Sequence, residues 1–196
     1  DTKTARVELN SLISDAGKLG IKGKKDLLDF AYAGDVIRVS LGEDLGKDAI
    51  KNIGKLAQMF GDADTMGLKN AMLAIGSSVN DIAQSSSAAE PYLVEFTNRM
   101  AGIGKQADMT IPQIIGFASV LDQNAQQIEM SSTALNGVMM KMFKDPAKLA
   151  RIAGLEVQSF AKLVREDANE ALLQLLETLG QKGGMSKLAP IFDEMK

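Results

Sequence analysis

The sequence predicts an all-α protein, an irregular multi-helix bundle of about eight to ten helices built on helical hairpins. Three observations predict it. Apolar residues recur at three- to four-residue spacing from Ala5 to Met195, which lays one apolar stripe along each of a series of helices. Nowhere do four to eight residues alternate apolar and polar with β-branched enrichment, as a half-buried strand requires. The chain is 45% hydrophobic but only 5% aromatic and has no Trp, so its core is filled by Leu, Ile, Ala and Met, which suits close helix packing.

Taken in order, residues 4–20 carry Ala5, Leu9, Leu12, Ile13, Ala16 and Leu19 on one side, and Gly17 and Gly20 mark the end. After Ile21-Lys22-Gly23 a second helix places Leu27, Phe30, Ala31, Gly34, Ile37 and Leu41 inward and closes at Gly42. Gly34 in mid-helix costs about 1 kcal/mol relative to Ala, which a tight crossing of another helix would explain. Glu43 and Asp44 stand where carboxylates favour the next helix's N-terminus. That third helix turns Leu45, Ala49, Ile53, Leu56, Ala57 and Phe60 inward. A fourth, from about Thr65, uses Leu68, Ala71, Met72, Ile75, Val79 and Ile82, with Gly76 and serines 77, 78 and 85–87 expected to loosen its second half.

The stretch 85–143 reads as three helices that should pack on one another. The first opens with a capping box, Ser87-Ala-Ala-Glu90, followed by Pro91 in the first turn and an apolar stripe of Tyr92, Leu93, Phe96, Met100 and Ile103. Arg99 and Lys105 are expected on the solvent side. The second starts at Thr110 with Pro112 in its first turn and Ile111, Ile114, Ile115, Ala118 and Leu121 on one side. The third runs from about Ile128, with Ala134, Leu135, Val138, Met139 and Met142 inward, and stops at Lys144-Asp145-Pro146. Beyond it, Asp145-Pro146 caps a short helix ending at Gly154, and residues 155–164 hold another with Phe160, Leu163 and Val164. Asp167-Ala-Asn-Glu170 caps a clear stripe of Ala171, Leu172, Leu175, Leu176 and Leu179. Gly183-Gly184 breaks the chain before a last helix with Leu188, Ile191, Phe192 and Met195. A weak internal echo links Leu19-Gly-Ile21 with Ala153-Gly-Leu155, each a glycine turn before a helix.

Composition narrows the chemistry. A formal charge of −3 argues against a specific nucleic-acid site, which needs clustered Lys and Arg. The chain has neither Cys nor His, so disulfides, thiolate metal sites and the commonest metal ligand and general base are missing. No apolar run approaches the ~20 residues of a membrane span. The first residue is Asp rather than Met, and a helical pattern begins at once, so a fragment of a longer polypeptide is expected.

Five features invite a functional reading. Asp62-Ala-Asp64-Thr-Met-Gly67 begins like a calcium loop, but Met66 and Leu73 occupy the fifth and twelfth places, and a capped helix start explains it better. Ser159-Phe-Ala-Lys162 has nucleophile-base spacing without the partner motifs that accompany it in acyl-transfer enzymes. Gly17–Lys25 is rich in Gly and Lys, yet it follows no strand and lacks the Gly-Lys-Ser/Thr ending of a phosphate cradle. Carboxylates at Glu43/Asp44 and Asp167/Glu170 are explained as helix N-terminal charges. No catalytic, cofactor or metal residue is assigned. Met139, Met140, Met142 and Phe143 are the candidate protein-interaction residues, because Met is common on adaptable binding surfaces; the competing reading is a core-facing stripe with Met140 on its side. The terminal helices, 5–19 and 188–195, are the other expected sources of exposed apolar surface.

The segments Gly76-Ser-Ser-Val-Asn-Asp-Ile82, Tyr92–Ala101 with Phe96-Thr-Asn-Arg99-Met, and Ile111-Pro-Gln-Ile-Ile-Gly-Phe-Ala-Ser-Val-Leu121 resemble the core region of phage tail tape measure proteins. Glu129 with Thr133-Ala-Leu135, the 146–155 segment, the 26–60 helix pair and residues 160–173 continue the resemblance in the family's order, over roughly Leu9 to Leu179. The resemblance implies a globular part of a very long, mostly helical chain that sets tail length and leaves ahead of the DNA at infection. It implies tail tube and baseplate proteins and tail assembly chaperones as partners, with residence in the virion and in the bacterial host cytoplasm during assembly. No cofactor and no catalytic residue is implied. On this reading 1–196 is one helical domain or fragment, with 1–84, 85–145 and 146–196 as sub-divisions. The alternatives are a stand-alone helical protein-binding adaptor and a cell-wall-cleaving enzyme.

Overall fold

A computed structural model describes residues 6–181 apart from 43, 44 and 47. The described residues form eleven helices and no strand: α1 (Arg6–Lys18), α2 (Lys24–Leu41), α3 (Ala49–Met59), α4 (Asp62–Met66), α5 (Leu68–Ser85), α6 (Glu90–Gln106), α7 (Ile111–Gln123), α8 (Ile128–Lys144), α9 (Pro146–Ala153), α10 (Val157–Glu166) and α11 (Ala168–Gln181). The protein is all-α, as its periodicity predicts. The expected last helix and the carboxylates Glu43 and Asp44 lie outside the described residues.

The chain divides into two compact units, Asp1–Lys105 with Thr110–Ser131, and Gln106–Met109 with Ser132–Lys196. These do not follow boundaries at 84 and 145. The central helices α6 and α7 belong with the N-terminal ones because α7 packs on α5 and α6 reaches α3, where Asn52 donates to Glu95 at 3.4 Å.

Glycines set the helix spacing in the first unit. A Cβ on Gly34 would lie 2.7 Å from Ile50 Cγ2 and 3.0 Å from Leu12 Cδ2, so α1 and α3 both press on α2 at the crossing the sequence anticipates. One on Gly54 would meet the Phe30 ring at 2.4 Å. The pairs Gly34–Ile50 and Gly54–Phe30 run α2 and α3 antiparallel, whereas Tyr32 beneath Lys69 and Ile37 against Gly76 align α2 with α5. Gly76 therefore corrects one expectation: α5 is continuous to Ser85, and the glycine makes room for Ile37, whose Cγ1 an added Cβ would meet at 2.8 Å, rather than loosening the helix. Ser78 and Ser85 lie within this helix, their hydroxyls donating one turn back to the carbonyls of Ala74 and Asp81.

The 85–143 helices touch one another as expected: Gly104 abuts Ile114, and the Tyr92 hydroxyl pairs with Ser131 Oγ at 2.8 Å. The cap assignments are partly corrected. No box forms at Ser87; α6 begins at Glu90, and the N–H of Ala89 donates instead to Asp122 Oδ2 at 2.7 Å. A complete capping box stands at Thr110 and Gln113, in front of Pro112. Ala134, expected inward, is exposed.

In the second unit α9, α10 and α11 pack on one another around Leu149, Phe160, Leu172 and Leu175. Asp145 and Asp167 cap α9 and α11 as read, accepting from the N–H groups of Lys148 and Glu170, each at 2.9 Å. Gly154 ends α9 in the left-handed conformation, φ 71°. The N–H of Leu155 then bonds back to Ala150, as that of Ile21 does to Ala16. The internal echo is thus one helix-ending device used twice.

Candidate interaction surface

Helix α8 separates the four interaction candidates in pairs. Met139 and Met142, three residues apart on one face, are fully buried, while Met140 is 55% and Phe143 38% exposed. Met139 and Met142 are thereby removed as surface residues; they belong to the core-facing stripe. Met140 and Phe143 share the adjacent face and remain available, followed by Lys144, which favours the helix's C-terminal end.

A second apolar line runs along α2, in the other unit. Leu28, Tyr32 and Val39 are 50%, 46% and 58% exposed and lie within a narrow arc of the helix. The sequence does not single it out, because α2 carries apolar residues on several sides with charged ones between them, so periodicity alone does not distinguish Leu27 from Leu28. Leu173 and Leu176 on α11 are exposed too, although Leu176 was expected inward. In α1, by contrast, Leu12 and Ala16 are buried and Leu9 and Ile13 are partly covered, as is Leu19 just beyond it, so none of these is an exposed apolar residue.

The polar motifs are occupied locally. Asp62–Met66 is helical, which turns the oxygens of Asp62 and Asp64 apart rather than around an ion. Among the described residues no group of three or more carboxylates assembles for a metal. Ser159 and Lys162 are both exposed on α10; the Ser159 N–H donates to Glu156 Oε2 at 2.7 Å, and Lys162 leans toward Glu166 at 3.8 Å. Glu156 also accepts from the N–H of Gln158 at 3.0 Å. A hydrogen bond from the Ser159 side chain, then the two backbone N–H groups, hold the Glu156 carboxyl below the usual range. This cap was not foreseen, because Glu is seldom read as an N-cap.

The glycine- and lysine-rich stretch borders a cleft of about 400 Å³ in the first unit, with Ile21 and Leu68 at its floor and Lys22, Lys25, Asp26 and Asp64 on its rim. Lys25 is committed to Asp29 at 2.6 Å, a hydrogen bond and charge pairing that raise its ammonium above the usual lysine range. The rim carries both signs, and its lining holds no Ser, Thr or Cys. Glu129, with Glu95, holds Arg99 at 3.2 and 2.8 Å, so it is engaged in an exposed ion-pair cluster.

What the described residues assemble is a set of packed helices with separate exposed apolar lines. Comparison with protein-family models, with curated proteins and with solved structures finds no match to this chain.

Proposed function

We propose that this chain is a structural segment of a phage or prophage tail tape measure protein, a non-enzymatic minor tail component that contributes to tail length determination, tail assembly and DNA ejection. It works by binding tail tube and baseplate subunits, with assembly chaperones as partners before the virion is complete. The observation that carries the reading is the order of its motifs, from Gly76–Ile82 through Phe96–Met100 and Ile111–Leu121 to the 146–155 segment. Two features support it. The motifs fall on consecutive helices, α5 to α9, with Val79, Phe96, Met100, Ile114, Ile115 and Leu149 buried. The carboxylates Asp145, Glu156 and Asp167 serve as helix caps, and Glu95 and Glu129 are paired with Arg99. The exposed line on α2 favours a second reading, a stand-alone helical adaptor.

The test is an in-frame deletion of codons 6–181 in the encoding phage or prophage, with tails measured by electron microscopy. Shortened or missing tails are expected; tails of unchanged length and yield overturn the proposal and favour the adaptor. Zymography against purified peptidoglycan is the parallel test, and no clearing is expected. Clearing that Glu90→Gln, Glu129→Gln or Glu170→Gln abolishes would overturn the non-enzymatic reading.

A further inference from the structure

We draw no further inference here: the strongest candidate, the outward line of Leu28, Tyr32 and Val39 along α2, carries nothing because nothing in the structure shows what covers it.

Discussion

Phe96 has none of its surface exposed, and its ring lies parallel to that of Tyr92 with centroids 6.1 Å apart. Its position in the middle of a 3–4 stripe was enough to place it inward, with Arg99 and Lys105 exposed as the same helical period requires. Phe96→Ala is expected to cost about 3–5 kcal/mol, read from urea unfolding followed by circular dichroism, because the cavity adds to the lost transfer energy. A loss under about 1 kcal/mol would contradict this packing. Ala125 is a different case, invisible in the sequence. It follows α7 with φ 54°, its N–H bonded to Asp122 and that of Gln126 to Leu121 at 3.1 Å, the pattern in which glycine is usual. A Cβ in this conformation costs roughly 1–2 kcal/mol, and glycine returns part of that as extra freedom in the unfolded chain. Ala125→Gly should therefore raise stability by about 0.5–1 kcal/mol in the same titration.

At the scale of the element, glycines that look alike in the sequence have opposite roles. Gly54 in α3 faces the fully buried Phe30 ring, so a methyl there forces a rigid neighbour aside. Gly137 in α8 has nothing within 4 Å of an added Cβ and is exposed. Gly54→Ala is expected to destabilise by about 1–3 kcal/mol from overpacking. Gly137→Ala is expected to stabilise by up to about 1 kcal/mol from helix propensity. Matched thermal melts of the two variants check both signs. The cap of α10 supplies a pH signature. Because the Glu156 carboxyl is held below its ordinary value of 4.5 in the folded state, its contribution is complete above the unfolded pKa and is lost as pH falls through the folded one. Glu156→Ala should thus be less stable than wild type at pH 7, and the two should converge as acid protonates the cap. A stability difference that persists unchanged into strong acid would show that the carboxylate charge is not what caps the helix. Caps at Thr110, Asp145 and Asp167 were legible because short side chains stand directly before an apolar stripe. The expected box at Ser87 does not form: α6 starts at Glu90, and the amide just before it, that of Ala89, is taken by the distant Asp122 carboxylate.

At the scale of the whole molecule, the candidate surface was only half legible. Sequence spacing places Met139 with Met142 and Met140 with Phe143 on two adjacent faces, but it does not say which face is covered; the structure buries the first pair and leaves the second accessible. The line Leu28–Tyr32–Val39 is not legible for the converse reason: α2 is apolar on several sides, and the choice among them rests with α1, α3 and α5 packing against it. By itself the sequence determined the all-α class, most helix ends and most of the core. These follow from local periodicity and from side chains bonding to backbone groups a turn away. Only the tertiary structure decided that Gly34, Gly54, Gly76 and Gly104 are contact points and that α6 and α7 belong with the N-terminal unit. The reason is that helix partners are chosen by matching surfaces of residues far apart in the chain, information no single helix's pattern contains.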